Sequence, residues 1–151
     1  MPIAIHCAPV ADIDPQILYR ILWLRVSTFV VEQQAAYAEL DGRDIEAGAE
    51  LAWIEDSGQV VSTLRILPEP TEMRIGRVAT SPAARGRGHS ARLMRLAIGR
   101  CAELRPGAPI VLDAQTHLGE WYGRFGFTQA GESFIEDDIP HIPMRLAEIS
   151  D

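Results

Sequence analysis

Apolar residues recur every three or four positions in two long segments, and this spacing predicts two amphipathic helices. The first helix begins at Asp14-Pro15, where Asp suits the N-cap and Pro the first helical position, and it runs to about Val31. The second follows a glycine-rich loop and ends before Pro106-Gly107. A shorter helix is predicted from His117 to Phe125. The buried stripe of the second helix consists of Leu93, Leu96, Ala97, Cys101 and Leu104.

Seven shorter segments, bounded by turn residues, have the composition of β-strands. They are Ile3–Cys7, Glu50–Glu55, Gln59–Leu67, Met73–Thr80, Ile110–Ala114, Phe127–Ala130 and His141–Leu146. The turn signal Asp56-Ser57-Gly58 predicts a β-hairpin between the second and third strands. Proline cannot donate a hydrogen bond to a sheet, so Pro140 and Pro143 predict that the last strand is an edge or is only partly paired.

The size and composition of the chain narrow the classes of protein to consider. Its 151 residues predict a single domain over positions 1–151. No apolar run approaches the roughly 20 residues that cross a bilayer, and the N-terminus lacks the pattern of a signal peptide. Cys7 and Cys101 fit no metal spacing, which indicates reduced core thiols. We therefore expect a cytoplasmic protein without a membrane partner, and its oligomeric state stays open, a homodimer included.

The most informative segment runs from Arg77 to Ser90, where a predicted strand passes through a basic, glycine-rich loop into the second long helix. Gly86 and Gly88 lack Cβ, so the loop can curl tightly and bring backbone N–H groups close to a ligand. The first turn of the helix adds N–H groups without an intrahelical partner and the positive end of the helix dipole. Together these features predict a cradle for a phosphate or pyrophosphate.

The charge of the chain is distributed unevenly. The whole chain has a formal charge of −7, yet residues 73–106 carry +7 and the remainder carries −14. Most of such a surface would repel nucleic acid, so a compact anion bound at one place fits better. All basic residues are Arg, which excludes the Gly-Lys end of a Walker loop, and Ala91 stands where a Rossmann loop has its third glycine.

Two motifs of the chain resemble the GNAT family of acetyl-CoA-dependent N-acetyltransferases. The phosphate loop of that family, Arg/Gln-x-x-Gly-x-Gly/Ala, is matched by Arg85–Ser90, and its Tyr-x-x-x-Gly-Phe signature by Tyr122–Phe127. The resemblance extends over nearly the whole chain and is closest to the ElaA-like subgroup. Further matching pieces are Leu24-Arg25, Phe29–Gln33, Asp41–Asp44, Ile75–Val78, Ala114–Leu118 and Ile139–Ile142.

The resemblance implies a mixed α/β fold with one twisted, mostly antiparallel central sheet flanked by helices. Strands 4 and 5 of that sheet would splay to admit acetyl-CoA, and an acetyl group would pass to an amine by direct attack in a ternary complex. No metal is expected to take part. The cofactor-binding residues that the resemblance implies are Val78, Ala79, Thr80, Arg85, Gly86, Arg87, Gly88, His89, Ser90 and Gln115.

Acetyl transfer from a thioester to an amine needs an acid for the leaving thiolate and a base for the attacking nitrogen. Tyr122 is the candidate acid, although it also reads as a core aromatic beside Trp121 and Phe125. An ammonium group with a pKa near ~10.4 must lose a proton before it attacks, so a base or a water relay is required. The candidate bases are Glu32, Asp113, His117, Glu120 and His141.

Acidic residues suggest the nature of the acceptor. Glu136-Asp137-Asp138 beside His141 reads as a solvated acidic loop, or one that attracts a cationic acceptor, in preference to a metal site. Asp41, Asp44, Glu46 and Glu50 lie where GNAT proteins shape the acceptor pocket, so we expect a small-molecule or peptide amine that is cationic or polar. Two alternatives stay open: an acetyltransferase for protein N-termini or lysines, and a non-catalytic acyl-CoA-binding module.

Overall fold

The computed structural model describes residues 3–147, and within that range one eight-stranded sheet is flanked by three α-helices. The strands are β1 Ile3–Ala8, β2 Glu50–Asp56, β3 Gln59–Pro68, β4 Met73–Thr80, β5 Ile110–Gln115, β6 Phe127–Gln129, β7 Phe134–Glu136 and β8 Ile139–Leu146. The α-helices are α1 Pro15–Val26, α2 His89–Leu104 and α3 Gly119–Gly123. All seven predicted strands are present within two residues of their predicted bounds, and β7 is an additional short strand.

The sheet has the order β1-β2-β3-β4-β5-β8-β6, with β7 also paired to β8. All neighbouring strands are antiparallel except β4 and β5, which run parallel. These two pair only at their starts, Met73 with Ile110 and Arg74 with Val111, and diverge beyond that point. The predicted mixed α/β fold, with a mostly antiparallel sheet and splayed strands 4 and 5, is confirmed.

The prediction that the last strand is an edge is wrong, because β8 has neighbouring strands on both sides, although each side is paired over only part of its length. It pairs with β5 on one side and with the short strands β6 and β7 on the other. A proline loses its N–H donor but keeps its carbonyl acceptor. Pro143 lies opposite Asp113 of β5, and its carbonyl accepts a hydrogen bond from the N–H of Ala130 at 2.8 Å. Each proline therefore removes one backbone hydrogen-bond donor from β8, but neighbouring strands still flank β8 on both sides.

Helices cover both faces of the central strands. On β2, Ala52 and Ile54 belong to the core on the α2 side, whereas Leu51 and Trp53 belong to the core on the α1 side. Since successive side chains of a strand point to opposite faces, β2 and β3 are buried almost continuously. In the predicted stripe of α2, Leu93, Ala97 and Cys101 are buried, Leu96 is half-buried, and Leu104 in the last turn is exposed.

The segment after α1 continues the helix in a different form. Asp14 caps α1, and its carboxylate accepts hydrogen bonds from the backbone N–H groups of Gln16 and Ile17 at 3.0 and 3.4 Å. The α-helical pattern ends at Val26, and a π-helical turn spans Ser27–Glu32. The predicted helix to about Val31 is thus right in extent, although its last turn is wider than an α-helix. This turn carries Glu32 to the opening between β4 and β5.

Candidate active site

A cleft of about 1100 Å³ opens where β4 and β5 diverge. Tyr122 and four of the five candidate bases line it, namely Glu32, Asp113, His117 and His141, whereas Glu120 does not. The predicted cofactor-binding residues that line it are Val78, Ala79, Thr80, Arg85, Gly86, Gly88, His89, Ser90 and Gln115. Arg87 instead borders a separate depression of about 350 Å³. Apart from Arg87 and Glu120, the fold therefore gathers the predicted site residues around one cavity, although these residues come from distant parts of the chain.

A β-bulge in β4 helps to open the cleft. Thr63 of β3 lies opposite Ala79, but Arg65 lies opposite Gly76, so β4 carries an extra residue between these pairs. Arg77 within the bulge has a φ of 53°, which is uncommon for a residue with a side chain. A bulge bends its strand and increases the local twist. Here it lies where β4 turns away from β5.

The glycine-rich loop has the conformation that its sequence predicts. Gly86 and Gly88 have φ values of 80° and 78°, in the left-handed region that favours glycine. Gly88 is the N-cap of α2, and no side chain caps this end of the helix. The first N–H groups of α2 are consequently available to a ligand, with the positive end of the dipole behind them.

Arg85 spans the loop and the helical segment on the other side of the cleft opening. Its Nη1 and Nη2 donate to the two carboxylate oxygens of Glu32 at 2.9 and 2.7 Å, and its Nε donates to the carbonyl of Thr80 at 3.1 Å. The hydrogen bonds from Arg85 lower the pKa of Glu32. A carboxylate held in this way is a weak proton acceptor, so the geometry disfavours Glu32 as the base.

Tyr122 combines a buried ring with a hydroxyl that no described residue engages. The residue is 7 % exposed, and its ring packs edge-on against Trp121 and Phe127, at centroid distances of 4.9 and 6.4 Å. Burial raises the pKa of Tyr122 to about 12. The phenol is therefore protonated at neutral pH and can serve as a proton donor. This position is compatible with both roles predicted for Tyr122, packing in the core and donating a proton as a general acid.

His141 is held in a defined tautomer. Its Nδ1 lies 2.7 Å from the carbonyl oxygen of Ile139, and its ring stacks on Phe134 at 5.7 Å. A carbonyl only accepts hydrogen bonds, so Nδ1 carries the proton of the neutral ring and Nε2 keeps its lone pair. In the ladder between β5 and β8, His141 lies opposite Gln115. His117 also lines the cleft but is exposed on the turn after β5.

Arginine side chains form ion pairs with the acids that the sequence places near the acceptor pocket and with Asp113, a candidate base. Asp41 accepts from Arg65 at 2.9 Å and from Arg77 at 3.3 Å, and Asp113 accepts from Arg74 at 3.0 Å. The remaining acids of that prediction pair as Asp44 with Arg25 and Arg65, Glu46 with Arg43, and Glu50 with Arg100. Among these acids only Asp41 and Asp113 line the cleft, and arginines neutralise both, so they add little free negative charge there.

Two other acids keep their charge available to the cleft. Glu136 and Asp137 line it from the turn between β7 and β8, and neither forms an ion pair with a residue in the range 3–147. The turn was read from the sequence as an acidic loop. In the described part of the chain, no group of three or more His, Cys, Asp or Glu residues is arranged to hold a metal ion.

Sequence reasoning missed two further residues of the cleft. Gln33 follows Glu32 and accepts a hydrogen bond from the Nε2 of Gln115 at 3.3 Å, so the 32–33 segment contacts both walls of the opening. Tyr37 lies under the guanidinium of Arg77, 5.4 Å from ring centroid to Cζ. The segment between Glu32 and Glu50 has no regular hydrophobic period, so nothing in the sequence indicated either contact.

Comparisons with known proteins agree with this geometry. Residues 13–148 match the family described as acetyltransferase (GNAT) domain. A UPF0039 protein of Mycobacterium tuberculosis is 43% identical over 138 residues, covering 88% of this chain and 86% of the relative. Protein ElaA of Escherichia coli is 39% identical over 132 residues, covering 84% and 85%.

Solved structures give the same result. An acyl-CoA N-acyltransferase from Pseudomonas aeruginosa has a TM-score of 0.92 and 40% identity, covering 97% of this chain and all (100%) of that one. The crystal structure of E. coli ElaA has a TM-score of 0.91 and 32% identity, with the same coverage of 97% and 100%. Among residues 3–147, no helix is long and apolar enough to span a membrane. The chain belongs to the GNAT acetyltransferase family and is an acyltransferase similar to ElaA.

Proposed function

We propose that this acyltransferase moves the acetyl group of acetyl-CoA to a primary amine by direct attack in a ternary complex. One observation carries the proposal: the uncapped first turn of α2 lies at the same cleft that Tyr122 and His141 line. An anion-binding end and a proton-transfer end within one cavity suit a phosphate-bearing acyl donor.

The coenzyme would lie along the diverging part of β4. Its pyrophosphate would take hydrogen bonds from the backbone of Gly86–Ser90 and from the first turn of α2. Beyond Arg74, β4 has no partner on its β5 side, so the backbone of Val78–Thr80 is available to the amides of the pantetheine arm. A backbone N–H in this stretch would also stabilise the oxyanion that forms when the thioester carbonyl is attacked.

Tyr122 and His141, at the other end of the cleft, would carry out the two proton transfers of the reaction. The amine nitrogen attacks the thioester carbon, the C–N bond forms, and collapse of the tetrahedral oxyanion breaks the C–S bond. Tyr122 would donate its proton to the leaving thiolate. The proton lost by the amine would pass to His141 Nε2, directly or through a water molecule, and His117 is the second candidate. Asp113 and Glu32 are less suited because arginines hold both carboxylates.

The acceptor would be a small-molecule or peptide amine, cationic or polar, acetylated in the cytoplasm. Support for a cation comes from Glu136 and Asp137, which line the cleft and form no ion pair with another residue of the described range. Support for a reducing compartment comes from Cys7 and Cys101, which are free thiols with pKa values that burial raises to about 12.

The test is release of free thiol from acetyl-CoA with a panel of amines, peptides, alcohols and acidic metabolites. Thiol release that depends on an amine, together with the acetylated product by mass spectrometry, is the expected result. Binding of coenzyme A without acetyl transfer to any acceptor would favour a non-catalytic acyl-CoA-binding module. Transfer only to protein N-termini or lysines would favour the protein-directed alternative.

A further inference from the structure

Three hydroxyl groups form a hydrogen-bonded row from the interior of the sheet to the phosphate loop. Ser62 of β3 is 0 % exposed, and its Oγ lies 2.8 Å from the Oγ1 of Thr80 at the end of β4. Thr80 Oγ1 in turn lies 2.5 Å from the Oγ of Ser90, the second residue of α2. Ser90 lines the cleft beside the uncapped helix end. The row therefore joins a buried hydroxyl to the proposed phosphate site.

The three hydroxyl protons can be arranged along this row in two ways, which differ in the direction of donation. Ser62 Oγ lies 3.2 Å from the carbonyl oxygen of Ala79, which can only accept a hydrogen bond. If Ser62 donates to that carbonyl, Thr80 donates to Ser62 and Ser90 donates to Thr80, and no hydroxyl proton points into the cleft. If Ser62 donates to Thr80 instead, Thr80 donates to Ser90, and the proton of Ser90 is free to enter the cleft.

An anion in the cleft would select the second direction. A hydrogen bond to a charged acceptor is stronger than one between neutral groups, and the bond given up, from Ser62 to the Ala79 carbonyl, is the longest of the three at 3.2 Å. Reversing the row therefore exchanges a weak internal hydrogen bond for a strong one to the ligand.

We propose that Ser90 donates its hydroxyl proton to a phosphate of the coenzyme, and that Thr80 and Ser62 are positioning residues that orient it through this reversible row. This inference rests on the proposed function, since it presumes that the loop binds a phosphate-bearing donor. It adds a side-chain donor to a cradle otherwise made of backbone N–H groups. The GNAT loop pattern has Gly or Ala at this position. Ser90 therefore departs from the pattern, and its hydroxyl is a donor that the pattern does not supply.

Replacement of the hydroxyl tests the contact. Ser90→Ala should weaken the binding of coenzyme A, measured by calorimetry, roughly ten- to a hundredfold. It should lower kcat/KM for acetyl-CoA by a similar factor but leave kcat/KM for S-acetylpantetheine, which ends before the first phosphate, at the wild-type value. Ser81→Ala is the matched control, because its hydroxyl caps nothing and lies outside the cleft. Thermal unfolding of each variant checks that the fold is kept.

The buried end of the row provides a test that a merely structural role would not pass. In Ser62→Ala, Thr80 can donate only to Ser90, so coenzyme A should bind more tightly than to the wild type, and an unchanged affinity would show that the row plays no part in binding. Equal weakening by Ser62→Ala and Ser90→Ala would overturn the relay. An unaltered affinity in Ser90→Ala, or an equal loss of kcat/KM with both donors, would overturn the contact itself. Wild-type protein that bound no coenzyme A would contradict the proposed function as well.

Discussion

Glu32 and Arg85 face each other across the opening of the cleft and form a two-point ion pair, with N–O distances of 2.7 and 2.9 Å. Glu32 ends the π-helical turn after α1, whereas Arg85 begins the glycine-rich loop, 53 positions later. Both nitrogens at the tip of Arg85 are thereby engaged by a carboxylate. The pair therefore joins the helical segment after α1 to the phosphate loop.

The first prediction concerns this pair. Glu32→Gln removes the charge that pairs with Arg85 but keeps the side-chain shape, so acetyl transfer should keep the rate and the pH dependence of the wild type. The reason is that Arg85 lowers the pKa of Glu32, which makes the carboxylate a poor base. A loss of about 10²–10⁴-fold in kcat would instead identify Glu32 as the general base. Glu120→Gln, an acid that does not line the cleft, is the control.

Removal of the Tyr122 hydroxyl should slow turnover and leave coenzyme binding nearly unchanged. Tyr122→Phe keeps the ring that packs against Trp121 and Phe127, but it removes the proton donor. The expected fall in kcat is about 10²–10⁴-fold, the usual contribution of general acid catalysis. Steady-state kinetics and calorimetry with coenzyme A separate the two effects. Turnover equal to that of the wild type would assign Tyr122 to core packing alone.

His141 should determine how the rate responds to pH. His141→Asn keeps a side chain that can donate to the Ile139 carbonyl, but it removes the nitrogen that accepts the amine proton. We expect a lower rate, and a pH–rate profile without the increase that deprotonation of a histidine base would give to the wild type. His117→Asn, made in parallel, distinguishes the two histidines. A profile that changes only in the His117 variant would transfer the role to that residue.

A side chain at Gly88 should abolish coenzyme binding without unfolding the protein. The φ of 78° at this position is strained for any residue with a Cβ, most of all for a β-branched one, so Gly88→Val should distort the loop. Gly99→Ala is the control within the same helix. A Cβ at Gly99 meets no heavy atom within 4 Å, so this change should raise the free energy of unfolding by about 0.5–1 kcal/mol and leave affinity unchanged. Unchanged affinity in Gly88→Val would refute the cradle.

Stability should fall in acid partly because of Asp41. Burial tends to raise its pKa, but hydrogen bonds from Arg65 and from the backbone N–H of Arg43 outweigh this and lower the pKa from 3.8 to about 2. A lowered pKa stabilises the fold above pH 3.8, and this contribution is lost as the pH falls from about 4 to 2. Over that window the unfolding free energy of the wild type should drop more than that of Asp41→Asn. Parallel curves would show that the ion pair contributes nothing.

Local patterns predicted the secondary structure well because they reflect short-range physics. Strand bounds agree to within two residues, and the glycines of the loop have the positive φ values expected of them. The pairing of β8 could not be predicted in this way. Pro143 predicts an edge by its missing N–H, but β5 and β6 pair with this strand from distant parts of the chain.

The sequence by itself determined the elements, the phosphate loop and the family, because helix periodicity, turn residues and a glycine-rich loop at a helix start are local signals. Only the tertiary structure decided which charges are free. Asp41 and Asp113 appear in the sequence as candidates for an acidic rim or a base, yet arginines from β3 and β4 neutralise both. The free hydroxyl of Tyr122, the tautomer of His141 and the row from Ser62 to Ser90 likewise depend on contacts between residues far apart in sequence. Contact ion pairs and hydrogen bonds require donor and acceptor atoms within about 4 Å of each other, and the fold alone brings such groups within that distance.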